Sequence, residues 1–213
     1  IRLRKVDFVC RHLLAGIYLC TLVVRIMKSI WIRHGQSEYN AQNLSTGWHD
    51  PDLTELGNHE AIHASGILAQ KYSEIAGIYA SDLRRSFNTA NIIIENTDWD
   101  KELKISPAIR ERDYGDWSGK DKDQLLDEMG LDQFTAIRRG WSTPPEHGES
   151  LKECAARVYG FLKEIEDRSN ELPHIIVCHG NTIRAASVVL GKRSPEDVHE
   201  FEVVTGEVIE WDF

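Results

Sequence analysis

Two histidines stand at places where a fold delivers reactive side chains. Ile30-Trp31-Ile32-Arg33-His34-Gly35 is a short apolar, β-favouring run that stops at His34 and opens into a polar loop. Ile175-Ile176-Val177-Cys178-His179-Gly180-Asn181 repeats the design far downstream. A neutral imidazole is a competent nucleophile toward phosphorus, and the oxygens of the transferring group then need cations and N–H donors. Arg33, beside His34, and Arg85, in the first turn of a predicted helix, can hold phosphate oxygens through paired hydrogen bonds. His179-Gly180-Asn181 opens another predicted helix, whose free N–H groups and dipole favour an anion. Glu111 is the candidate general acid and base for a substrate hydroxyl. Each residue alone reads as structural or solvated; their conjunction is the signal.

Those residues need a scaffold, and the hydrophobic pattern supplies one. After the first strand a polar loop runs from Gly35 to Asp52, and Thr54 caps a helix with Ala61, Ala64 and Leu68 on its buried face. Gly77 to Ser81 reads as a strand, followed by a helix whose apolar positions are Leu83, Phe87, Ala90 and Ile94. Leu103 to Ser106 is a weak strand closed by Pro107. Residues 111–122 are loop-like and rich in functional groups, and short helices follow around 124–129 and 132–140. Ser150 and Glu153 form a capping box for the best amphipathic pattern in the chain, with Leu151, Ala155, Val158, Leu162 and Ile165 on one face. The strand 174–178 leads to a helix with Ile183, Ala186 and Leu190, stopped by Gly191. The stretch 200–213 reads as two strands around Thr205-Gly206. Alternating strands and helices predict a three-layer α/β/α sandwich around a mainly parallel sheet. Ligands bind such sheets beyond the carboxyl ends of the strands, where both His-Gly pairs fall.

The 213 residues suit one domain, and 41% hydrophobic with 28% charged content is ordinary for a globular protein. A net charge of −9 argues against a nucleic-acid partner. Cys10, Cys20, Cys154 and Cys178 show neither CxxC spacing nor disulfide density, which fits a reducing, cytoplasmic compartment. Residues 1–26 differ from the rest: basic residues precede an apolar run from Leu13 to Val24, too short to span a bilayer and without a small-residue cleavage pattern. Our reading sets 1–26 aside as a non-core extension before Met27, with a membrane-associating segment as the alternative, and takes 27–213 as the catalytic domain. His59-Glu60-Ala61-Ile62-His63 matches the zinc-protease pattern HExxH, but helical geometry places both histidines opposite the buried face, so no metal site is expected.

Arg33-His34-Gly35-Gln36-Ser37-Glu38-Tyr39-Asn40 resembles the signature of the histidine phosphatase superfamily and, within it, of the short 2,3-bisphosphoglycerate-dependent phosphoglycerate mutases. The resemblance spans 28–213. It includes Thr46-Gly47-Trp48, Ser81-Asp82-Leu83-Arg84-Arg85, Glu111-Arg112-Asp113-Tyr114-Gly115, Lys122, Arg138-Arg139, Gly148-Glu149-Ser150-Leu151 and His179-Gly180-Asn181. It implies an isomerase of glycolysis and gluconeogenesis that interconverts 2- and 3-phosphoglycerate through a phosphohistidine. His34 would carry the phosphoryl group, and Glu111 would move the hydroxyl proton. Arg33, Arg85 and His179 would surround the group in flight. Asn40, Thr46, Gly47, Tyr114, Lys122, Arg138, Arg139, Gly180 and Asn181 would bind the rest of the substrate. The implied cofactor is 2,3-bisphosphoglycerate as priming donor, without a metal. The implied partners are small phosphorylated three-carbon acids, with the protein a monomer or small homo-oligomer. Longer relatives carry an insertion before Gly-Glu-Ser-Leu that this chain lacks. The alternative is a histidine-type phosphatase acting on small phosphomonoesters.

Overall fold

The structure, a computed structural model, describes residues 5–13, 17–25, 27–166 and 172–212. Strands β1 (Lys5–Leu13) and β2 (Ile17–Arg25) pair antiparallel as a two-stranded sheet. The side chains of 1–26, including Cys10, Cys20 and the apolar run from Leu13 to Val24, lie outside what is described.

The larger sheet has five strands. Its strands are β3 (Lys28–Arg33), β4 (Gly77–Ala80), β5 (Leu103–Ile105), β6 (His174–Cys178) and β7 (Val208–Asp212), in the order β5-β4-β6-β3-β7. β3, β4, β5 and β6 run parallel, and β7 lies antiparallel on β3. The predicted sandwich is therefore present.

Because side chains alternate across a strand, each central strand feeds two cores. Ile30, Ile32, Ile78, Ala80, Ile175 and Val177 pack with Ala64 and Leu68 of α2 (Glu55–Lys71) and Ala90 and Ile93 of α3 (Arg84–Glu95). Trp31, Tyr79, Ile176 and Cys178 face the other way, onto Leu151, Val158 and Leu162 of α6 (Leu151–Glu166) and Ile183 and Ala186 of α7 (Gly180–Val189). A smaller cluster of Tyr114, Trp117, Leu125 and Phe134 seats α4 (Lys122–Met129) and α5 (Leu131–Arg139) over the carboxyl end of the sheet. No helix among the described residues is long and apolar enough to cross a membrane.

Three local expectations need correction. A short helix, α1 (Glu38–Ala41), interrupts the first polar loop, because Ser37 and Asn40 cap each other reciprocally. The buried face of α3 is Arg85, Ser86, Thr89, Ala90 and Ile93, while Phe87 is exposed. The polar groups win because they have partners inside: Ser86 Oγ donates to Val177 O at 2.8 Å, and Thr89 Oγ1 accepts from Gly35 N at 3.1 Å. The tail holds one strand, β7, rather than two. Residues 201–206 form an irregular strap whose backbone is taken up by arginines of the site.

Candidate active site

β3 and β6 are adjacent and in register, with Arg33 opposite Cys178, and His34 N–H donates to Cys178 O at 2.9 Å. The two strand ends therefore deliver His34 and His179 side by side, ring centroids 5.0 Å apart. The chain must turn sharply after His34. Gly35 permits this, because a Cβ there would lie 2.1 Å from the carbonyl oxygen of Gly57, at the start of α2.

Both imidazoles are held neutral. Burial, then Arg85 and Arg33, push the His34 pKa well below its ordinary value, and the Gly35 hydrogen bond opposes this only in part. His34 Nδ1 lies 2.6 Å from Gly35 O. A carbonyl can only accept, so Nδ1 carries the hydrogen and Nε2 keeps a free lone pair. Burial, then Arg85 and His34, likewise depress His179. Its Nε2 lies 2.7 Å from Ser81 Oγ, which already accepts from Leu83 N at 3.4 Å. Nε2 is the one acceptor within reach of the Ser81 hydroxyl among the described residues, so the serine proton goes to Nε2 and His179 Nδ1 carries the hydrogen.

Arg85 is fully buried, and burial pushes its pKa down to about 10. Its Nη1 and Nη2 donate to His49 O (2.8 Å) and Gly47 O (2.9 Å). Gly47 is needed for this: it holds φ +52° and packs against Tyr114 N. Arg33 Nη1 donates to Val203 O at 2.7 Å. Arg33 Nε, Arg85 Nε and His179 Nδ1 are buried and have no hydrogen-bond partner among the described residues. Three unpaired donors beside a neutral His34 are costly unless an acceptor joins them, and phosphoryl oxygens are suited to that place.

Glu111 enters from the opposite wall. Its Oε1 accepts from Arg112 N (2.7 Å) and Asn181 N (3.2 Å), which fixes the carboxylate and leaves Oε2 only a long contact to Asn181 N, 3.5 Å. Behind it, Arg157 on α6 makes a two-point ion pair with Glu149 (2.8 and 2.9 Å) and donates to the carbonyls of Ala108, Arg110 and Glu111. The Gly-Glu-Ser-Leu stretch thus acts through Arg157 on the segment that presents Glu111.

One cavity collects Arg33, His34, Asn40, Thr46, Arg85, Glu111, Tyr114, Lys122, Arg138, Arg139, Gly180 and Asn181. Gly47 and His179 are not in this lining; Gly47 acts through its carbonyl, and the His179 ring packs edge-on against His34. Lys122 comes from the start of α4, and burial, then Arg138 and Arg33, push its pKa down to about 8. Arg112, buried beneath the Tyr114 ring, fixes the end of α5 through Arg138 O at 2.9 Å. Asn181 Nδ2 donates to Tyr114 OH at 2.9 Å.

Sequence reasoning missed two charged residues of the lining, Arg184 and Glu202. Arg184 was findable, since it lies three residues after Asn181, one turn along the same helix face. Glu202 arrives on the strap and has no local signal. His59 and His63 are exposed on α2, as expected. The cluster of possible metal ligands among the described residues, Asp116, Glu146 and His147, is exposed and lies elsewhere.

The family model "Histidine phosphatase superfamily (branch 1)" matches residues 30–213. A 2,3-bisphosphoglycerate-dependent phosphoglycerate mutase of Bartonella bacilliformis is 40% identical over 193 residues, 86% of this chain and 91% of its own. The protein of the same name from Cytophaga hutchinsonii is 38% identical, covering 82% of each chain. Among solved structures, "Mycobacterial hydrolase 1" superposes with a TM-score of 0.80 at 27% identity, covering 88% of this chain and 92% of that one. A mycobacterial glucosyl-3-phosphoglycerate phosphatase solved with VO3 gives 0.78 at 26% identity, covering 86% and 90%. The chain belongs to the histidine phosphatase superfamily, branch 1.

Proposed function

We propose that this chain is a 2,3-bisphosphoglycerate-dependent phosphoglycerate mutase, interconverting 2- and 3-phosphoglycerate with 27–213 as the catalytic unit. The observation that carries the reading is a single cavity that gathers Arg33, Arg85, Lys122, Arg138, Arg139 and Arg184 around one phosphoryl acceptor, His34. One transferring phosphoryl group needs few of these cations, whereas a mutase must retain a substrate with two anionic groups while it turns.

In the forward step, phosphorylated His34 gives its phosphoryl group to the free hydroxyl of a bound monophosphoglycerate. The N–P bond breaks, the new P–O bond forms, and Glu111 takes the hydroxyl proton. After the doubly phosphorylated molecule reorients, Nε2 attacks its other phosphorus, and Glu111 returns the proton to the departing oxygen. Arg33, Arg85 and His179 Nδ1–H neutralise the equatorial oxygens in both directions. Bisphosphoglycerate supplies the phosphoryl group that first loads His34, and the same residues fit it.

The relatives at 38–40% identity carry the mutase name and support this reading. The solved hydrolase and phosphatase at 26–27% identity favour the alternative, a phosphatase for small phosphomonoesters. A coupled assay separates them: 3-phosphoglycerate with catalytic bisphosphoglycerate should yield 2-phosphoglycerate. Fast release of inorganic phosphate without 2-phosphoglycerate overturns the mutase assignment.

A further inference from the structure

The cationic wall of the cavity already holds an anion that belongs to the chain. Glu202 Oε1 pairs directly with Arg139 Nη1, and its Oε2 lies 3.4 Å from Arg184 Nη2. The two arginine side chains are 22% and 9% exposed, whereas Glu202 is 62% exposed. The carboxylate therefore reaches in from solvent onto cations fixed in the wall. The strap beneath it is pinned on both sides, by Arg184 Nε on Phe201 O at 2.7 Å and Arg33 Nη1 on Val203 O at 2.7 Å. Its backbone is held while its carboxylate can swing outward by side-chain rotation alone.

We propose that Glu202 is a specificity-determining residue: its carboxylate occupies the Arg139–Arg184 anion position, and a ligand's distal anionic group must displace it to bind. This deepens the function proposed above and rests on it for the identity of the ligand. Arg33 and Arg85 instead face the Glu111 carboxylate, so a single phosphate ion that settles beside His34 is indifferent to Glu202. A molecule with anions at both ends feels the competition directly. Glu202 thus weakens retention of a doubly charged ligand and gives it an exit from a strongly cationic cavity.

The test is isothermal titration of the full chain carrying His34→Ala, which prevents phosphoryl transfer, with and without Glu202→Gln. The probes are 2,3-bisphosphoglycerate and inorganic phosphate. The glutamine should tighten bisphosphoglycerate binding roughly three- to tenfold, the size expected from removing competition by a partly exposed ion pair. Phosphate binding should change by less than about twofold, since a lone phosphate beside His34 does not have to displace Glu202. Glu202→Asp, which keeps the charge, should stay near the parent. Unchanged or weaker bisphosphoglycerate binding, equal tightening of both probes, no binding in any variant, or an aspartate that behaves like glutamine each overturns the proposal. The coupled assay on the unmodified chain reports separately on the function: phosphate release there refutes the mutase while the titration still decides the role of Glu202.

Discussion

Replacing Lys122 with Met separates what the site costs the fold from what it gives the ligand. In the folded protein, burial, then Arg138 and Arg33, hold the ammonium at about 8, against 10.5 for an ordinary lysine. Folding thus disfavours the charged form. Below about 8 both folded and unfolded chains are protonated and the penalty is present in full. Between about 8 and 10.5 the unfolded chain binds more protons, so stability rises with pH, and above 10.5 the penalty is gone. Methionine keeps the apolar stem and removes the charge. At pH 7 it should stabilise the protein by about 1 kcal/mol, a conversion scaled down because the ammonium is only half-buried. For a chain of this size that is roughly 2–4 °C in Tm. The difference between variant and parent should shrink as pH approaches 10.5. Activity should move the other way: one charge-assisted hydrogen bond is worth about 1.5–3 kcal/mol, so KM should rise roughly ten- to hundredfold. In the parent, KM should also climb as pH passes about 8, and Lys122→Met should lack that limb. Differential scanning calorimetry at several pH values, with the coupled assay, checks both halves. A variant that is less stable at pH 7, or one that retains the alkaline rise in KM, refutes the reasoning.

Three further outcomes follow from the same geometry. His34→Ala should remove turnover entirely and leave no acid-labile phosphoprotein after incubation with bisphosphoglycerate; substantial residual mutase activity contradicts the phosphohistidine route. Glu111→Gln keeps an acceptor for the Arg112 and Asn181 amides but cannot move a proton, so kcat should fall roughly 10²- to 10⁴-fold with the far-ultraviolet spectrum unchanged; an unchanged kcat removes Glu111 from proton transfer. Arg157→Met leaves the half-buried Glu149 without its two-point partner and should cost about 2–4 kcal/mol in urea denaturation, where a loss below about 1 kcal/mol contradicts the role given to that pair.

The parts of this protein that were legible in its sequence are those set by local rules. Trp31 between Ile30 and Ile32 alternates across a strand buried on both faces, and that period marks β3 whatever surrounds it. Ser150 and Glu153 satisfy each other's termini with contacts of 2.7–3.2 Å, so the start of α6 was fixed by four residues. The α3 face was misjudged because Ser86 and Thr89 count as polar in any pattern, yet both spend their hydroxyls on backbone groups brought in by β6 and by the turn after His34. Glu202 was invisible for a related reason. Its place depends on Arg33 and Arg184 gripping the backbone on either side, and neither contact leaves a mark in residues 201–206 themselves.

Glu60 shows how the two kinds of information meet. In sequence it is the middle of a false zinc motif; in the fold it is a brace. Its Oε2 accepts from Gln36 N at 2.7 Å and its Oε1 from Thr205 Oγ1 at 2.7 Å, so one carboxylate ties the turn after His34 to the strap that carries Glu202. Arg33 makes the parallel tie through Val203 O. The His34 turn and the strap are therefore one mechanical unit, although about 165 residues separate them along the chain. The element that positions the nucleophile therefore also positions the internal carboxylate that pairs with Arg139 and Arg184. Glu60, on the flank of that helix between its exposed histidines and its buried face, thus supplies the brace, while His59 and His63 stay in solvent.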